Sequence, residues 1–219
     1  MSGDDDTRLA YGSSMPTSMT ITPPPPPSTV DRLRSAGLIV GPAAFISAWV
    51  ASGLATPGYS PTRDHISALA AIGAPTRTLM NLGFTAFTIS VAAATLPARR
   101  FLGTPATVVL GANVVLTLGI MLAPLGRSAE GDRAHAIVAG LGYLALAAAA
   151  PSAAPTLAKR SRRLALASIG VGVASMACLG LSLVRPESGL WQRAGITVTD
   201  AWMIGMGLLA VTSPTGDSD

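Results

Sequence analysis

Charged residues make up only 12% of this 219-residue chain, about half of the roughly 25% carried by an average soluble domain. So little charge cannot cover the surface of a water-soluble enzyme or binding module of this size. Cysteine is nearly absent. The single Cys178, inside the apolar run ASMACLGLSL, excludes an intrachain disulfide and reads as a small packing residue. Only two histidines are present, His65 and His135, with no HExxH, no HxH spacing and no cysteine pair, so no metal site and no cofactor is assigned. Neither a GxSxG nucleophile elbow nor a phosphate-cradling glycine loop occurs. Aromatic residues amount to 5%, too few to interleave with the basic ones, and nucleic-acid recognition has no surface to rest on.

What fills the chain instead is apolar sequence: 49% hydrophobic residues at a mean hydropathy of +0.50, gathered in runs of about twenty. The fold class this implies is all-α, a polytopic transmembrane bundle with the lipid bilayer as its partner. Six spans are predicted, at about Leu38–Leu54, Thr78–Leu96, Thr104–Leu122, His135–Ala150, Leu164–Val184 and Ala194–Val211. Ser28 to Asp31 supplies a helix start ahead of the first. Residues 1–29 are acidic and then proline-rich, with no apolar core or cleavage site of a signal peptide, and read as a disordered tail. Residues 30–212 form the membrane domain and 213–219 a short second tail.

The net charge of +4 is explained by topology rather than by an acidic partner. Terminal and even-numbered connections hold Arg32, Arg34, Arg99, Arg100, Lys159, Arg160, Arg162 and Arg163, eight in all, or nine with Arg8 of the far tail. Odd-numbered ones hold six: Arg63, Arg77, Arg127, Arg133, Arg185 and Arg193. Within the first set, Arg99–Arg100 and Lys159–Arg163 form clusters unmixed with acids, whereas the second set is mixed with Asp64, Glu130, Asp132 and Glu187. The positive-inside rule then puts both termini in the cytoplasm and the chain in the plasma membrane.

On that assignment the candidate polar pocket lies on the outer side and draws on Asp64, Ser67, Arg77, His135, Arg193 and Asp200. In GYSPTRDHISAL, Ser60 is a fitting N-cap and Pro61 a fitting first helical residue, which predicts a short interfacial helix from Pro61 to about Ala71. On such a helix His65, Leu69 and Ile72 share the buried side. His135 opens the fourth span and reads either as an interface histidine closing the helix end or as a ligand-facing group. Asp200 lies roughly 9 Å into the sixth span, where an ionised carboxylate requires a cation or several donors. Arg193 is on the same helical side two turns earlier, with Arg77 or His135 as bridging groups.

Three segments together, TPGYSPTRDHISALAAIGAPTRTLMNLGF, GDRAHAIVAGLGYLA and GLWQRAGITVTDAWM, resemble the DUF998 family of bacterial integral membrane proteins over roughly residues 36 to 212. The matching positions are Tyr59, Ser60, Pro61, Ile66, Ser67, Leu69, His135, Gly189, Arg193 and Gly195; His65 is not among them. The resemblance implies the fold and the membrane location and supplies no reaction. It moves weight to Tyr59, Ser60 and Pro61 as residues that shape a lid over Asp200. Three functions follow: a multi-pass membrane protein with an outward polar pocket, a transporter of a lipid or small amphipathic ligand, or a membrane enzyme on an amphipathic substrate. The last requires His135, Asp200 and a first-loop residue to meet beside one cleft.

Overall fold

A computed structural model describes residues 28–212; the tail assignments for 1–27 and 213–219 lie outside the described residues. The chain forms α1 (Thr29–Ser35), α2 (Gly37–Ala55), a 3-10 turn (Ile66–Ala70), α3 (Arg77–Leu102), α4 (Thr104–Leu122), α5 (Ala129–Ala158), α6 (Arg162–Leu181) and α7 (Ser188–Thr212). Six helical stretches, α1 with α2 counting as one, are long and apolar enough to cross a membrane. This bears out the all-α, six-span class.

The helix ends follow from the residues that cap them. Ser28 and Asp31 form a reciprocal capping box at the start of α1. Ser161 caps α6, and Ser128 caps α5, which begins at Ala129, six residues before the predicted start at His135. The first two turns of α5 are polar, so apolar run length misses them, yet Glu130 and Asp132 suit the positive end of a helix. At its other end α5 continues through Pro151 and Pro155, where the expectation stopped at Ala150. Pro151 has no N–H to give the Ala147 carbonyl, and α6 covers that break. A Cβ on Gly172 would lie 2.6 Å from Pro151 Cδ and 2.8 Å from Ala147 O. Neighbouring helices make prolines tolerable in this way.

Each membrane helix packs on its chain neighbours, and α7 closes the bundle against α2, with further contacts to α5. Glycine allows the closest approaches. A Cβ on Gly37 would sit 2.0 Å from the Ser90 carbonyl, and one on Gly83 2.3 Å from Ala48 Cβ, the small-residue contact that drives helix association in lipid. Between α6 and α7, Ser175 Oγ donates to the Gly195 carbonyl at 2.8 Å, and Trp202 Nε1 donates to Ser168 Oγ at 2.9 Å.

The two ends of the bundle differ in kind. At one end, Arg100 approaches Asp31 at 4.0 Å, Arg160 donates to the Arg100 carbonyl, and its guanidinium lies 4.4 Å from the Phe101 ring centre. That is the basic face. At the other end the three remaining loops join: Ile72 N–H bonds the Leu125 carbonyl, and Leu190 N–H bonds the Thr62 carbonyl, both at 2.9 Å.

Candidate functional site

The loop between α2 and α3 is attached to the first two turns of α7, residue by residue. Ser188 Oγ donates to the Arg63 carbonyl at 2.9 Å, and Gln192 Oε1 accepts the Ile66 N–H at 2.8 Å. Gly189 is where the two backbones touch, since a Cβ there would lie 2.4 Å from Asp64 O and 2.9 Å from Asp64 N. Arg193, 6% exposed, completes the attachment. Its Nη1 donates to the carbonyls of Pro61 at 2.6 Å, Asp64 at 2.8 Å and Gly189 at 2.9 Å, and its Nη2 donates to the Tyr59 hydroxyl. The guanidinium also lies 5.4 Å from the ring centres of both Trp49 and Tyr59, within cation–π range. One cation thus holds four groups of the loop and its own helix together.

The loop is not the helix predicted from Pro61. Asp64 Oδ2 accepts the Ser60 N–H at 2.7 Å, which folds residues 60–64 into a closed turn. His65 then takes an extended conformation, φ −69° and ψ 151°, and only Ile66–Ala70 coil, as a 3-10 turn. The extended residue resets the register: Ile66 and Leu69 are buried, while His65 is exposed rather than on the buried side. Tyr59 Oη reaches back to the carbonyls of Asp64 and His65, at 3.3 and 3.1 Å. Burial raises the Tyr59 hydroxyl pKa above its ordinary value, against the pull of Arg193. Partial burial, seconded by the Arg193 charge, lowers His65 below its ordinary value.

Beneath this lid lies a cavity of about 60 Å³ at membrane depth. Phe45, Phe84 and Phe87 wall one side, their rings tilted together at centroid distances of 5.2 and 5.8 Å. Ser67, Asn113, Thr117, Tyr143, Gln192 and Asp200 supply the polar lining. Most of their donors are committed to the protein. Gln192 Nε2 donates to the Tyr143 hydroxyl, Asn113 Nδ2 to the Gly142 carbonyl at 3.0 Å, and Thr117 Oγ1 to the Asn113 carbonyl at 2.9 Å. Three acceptors are left. Both carboxylate oxygens of the fully buried Asp200, and Asn113 Oδ1, have no hydrogen-bond partner among the described residues.

A second, larger hollow of about 570 Å³ runs along the outside of the bundle between α5 and α6. Its walls are apolar, among them Ile137, Leu141, Leu144, Met176, Leu179 and Leu183, and His65, Ser67 and His135 stand among its few polar residues. His135 Nδ1 bonds the Ala123 carbonyl at 2.8 Å. A carbonyl only accepts, so Nδ1 carries a proton and donates it. The other ring nitrogen, Nε2, is buried and without a partner among the described residues. Ser67 and Tyr143 line both this groove and the cavity beneath the lid.

The six candidate pocket residues therefore separate. Ser67 and Asp200 line the inner cavity; Ser67 and His135 line the outer groove. Asp64 closes the loop turn, Arg193 fastens the lid, and Arg77 begins α3; none of these three lines either hollow. The cation expected for Asp200 is not provided, because Arg193 turns toward the loop. Asn113, Tyr143 and Gln192 are site residues that the sequence reading passed over. An amide or phenol amid an otherwise apolar span is the signal that points to them.

A family model described as a protein of unknown function (DUF998) matches residues 39–209. No curated protein and no solved structure matches the chain.

Proposed function

Taking as premise that the chain belongs to the DUF998 family, whose function is unknown, we propose that it binds a single-chain amphiphile. The protein is a multi-pass membrane protein; in this reading it sits in the plasma membrane with its basic face and both termini cytoplasmic, as the eight-to-six distribution of Lys and Arg favours. The lidded end then faces outward, and the groove between α5 and α6 opens toward the outer leaflet. One observation carries the reading: a 570 Å³ apolar groove has His135, whose Nε2 is buried and unpartnered among the described residues, in its lining. An alkyl chain satisfies the walls, and a hydroxyl on the head satisfies the imidazole. The volume is within the range of roughly 300–1,000 Å³ common to ligand sites.

Binding is favoured over catalysis by the separation of the polar groups. Asp200 lines the inner cavity and His135 the outer groove, and the lid residues are bonded to Arg193 and Gln192. Among the described residues, neither of the two hollows gathers an acid, a base and a first-loop residue.

Gly140 and Gly180 both line the groove, and a Cβ added to either meets nothing within 4 Å. Gly140→Leu and Gly180→Leu therefore fill the groove without displacing the bundle. A monoacylglycerol carrying a photoreactive chain is expected to crosslink to α5 and α6 of the purified wild type. Either variant should lower that yield roughly tenfold at an unchanged unfolding temperature. Equal crosslinking in wild type and both folded variants would reject the groove as the binding site.

A further inference from the structure

We propose that the inner cavity beneath the lid binds the ammonium group of a small organic amine. This site is distinct from the amphiphile groove and stands or falls separately from it.

The lining is unbalanced in one direction. Of its polar groups, the side-chain N–H donors of Asn113 and Gln192 and the hydroxyl of Thr117 are bonded within the protein. The buried lining oxygens without any partner among the described residues are the two of Asp200 and Oδ1 of Asn113, and the Tyr143 hydroxyl, which accepts from Gln192, keeps one proton to give. An occupant that repairs this must bring several donors, and a carboxylate among the acceptors selects a positive one. An ammonium carries three donors, the same number as the free acceptor oxygens. The aromatic wall of Phe45, Phe84 and Phe87, with Tyr143, favours the same charge, because ring faces attract cations and do so most when water is excluded.

Other occupants fit less well. An anion would meet Asp200. A neutral alkyl group would leave a carboxylate without a partner in a nonpolar setting, which is the costly arrangement in a membrane. Hard metal ions take about six oxygens, twice the free acceptors here, and no cluster of three or more His, Cys, Asp or Glu suited to a metal occurs among the described residues. The cavity of about 60 Å³ has room for roughly four to six waters at about 10–15 Å³ each, and a primary ammonium with a short alkyl stem takes that space.

The test uses the purified full chain in detergent, with n-butylammonium, n-butanol and n-butyrate as matched cationic, neutral and anionic probes. Butylammonium is expected to raise the unfolding temperature saturably, and the other two are not. Asp200→Asn keeps the shape and removes the charge, and should weaken the amine at least about tenfold. Gly180→Leu, which fills only the outer groove, should bind the amine as wild type does. Should Asp200→Asn fail to fold, loss of unmodified Asp200 to a carbodiimide in the wild type, followed by mass spectrometry, gives the same answer: butylammonium slows it and n-butanol does not. Equal stabilisation by butanol, an amine effect that survives in folded Asp200→Asn, or modification of Asp200 indifferent to the amine would each overturn the proposal. Loss of monoacylglycerol crosslinking with amine binding intact would remove the groove reading alone.

Discussion

Replacing Arg193 by methionine removes the charge and keeps a long apolar side chain against Trp49 and Tyr59. In the native protein Arg193 makes three bonds to the loop, to the Pro61 and Asp64 carbonyls and the Tyr59 hydroxyl. Hydrogen bonds from a charged donor contribute roughly 1.5–3 kcal/mol each, but bonds sharing one cation do not add independently. Breaking a buried charged network by deleting one member costs about 3–5 kcal/mol. Taking about 3 kcal/mol as the share carried by lid attachment, the open population of the loop rises roughly a hundredfold. Amide hydrogen exchange reads this directly, because local opening is separable from global unfolding. The Ile66 N–H, bonded to Gln192, and the Asp64 N–H, bonded to Ser60, should exchange about a hundred times faster in Arg193→Met. Amides in the middle of α4, far from the lid, should not change. Arg193→Lys should recover only part of the protection, since one ammonium cannot serve separate acceptors as a planar fork does. Gly189→Ala should produce the same pattern by contact alone, its Cβ being driven to 2.4 Å from the Asp64 carbonyl. Folded Arg193→Met with native exchange at Ile66 and Asp64 would refute the assignment of Arg193 as the lid fastener.

Two further outcomes can be checked with the same preparation. The lid should have an acid and an alkaline limit of stability: His65, lowered from its ordinary value of 6.5, contributes stability that is present above about 6.5 and lost as pH falls through its depressed pKa, while Tyr59, raised from 10.0, contributes stability present below about 10 and lost as pH rises through its elevated one. In unfolding-temperature profiles, His65→Gln should flatten the acid limb and Tyr59→Phe the alkaline limb; limbs unmoved by these variants would contradict the assignment. Orientation is open to thiol labelling after Cys178→Ala: a membrane-impermeant maleimide should reach Arg63→Cys in intact cells and Arg163→Cys only after permeabilisation, and the reverse pattern would invert the topology.

The hydropathy of the chain determined by itself that six helical stretches are long and apolar enough to cross a membrane, and the capping chemistry of Ser28 and Asp31 was readable where the first helix begins. These are local or one-dimensional properties: an apolar run of about twenty residues has few alternatives in lipid, and a cap bonds within four residues. The prolines of α5 mark the limit of such reading. Whether Pro151 ends a helix or is carried through it depends on Gly172 of α6 lying against it.

The polar site needed the third dimension. Arg193 and Asp200 are seven residues apart on one side of α7, and spacing alone allows them to approach each other. Side chains on a helix lean toward its N-terminus, so the Arg193 guanidinium leans away from Asp200, and the carbonyls of the loop packed above it complete the choice. The loop conformation is decided similarly. Ser60 and Pro61 favour a helix start, but the Asp64 carboxylate takes the Ser60 N–H within the loop, and Gln192 takes that of Ile66, a bond that exists only because α7 begins beneath the loop. The sequence by itself therefore determined the number and order of the spans and the cap at Ser28. Only the tertiary structure decided which polar groups are consumed in holding the lid, leaving Asp200 and Asn113 facing the cavity with acceptors to spare.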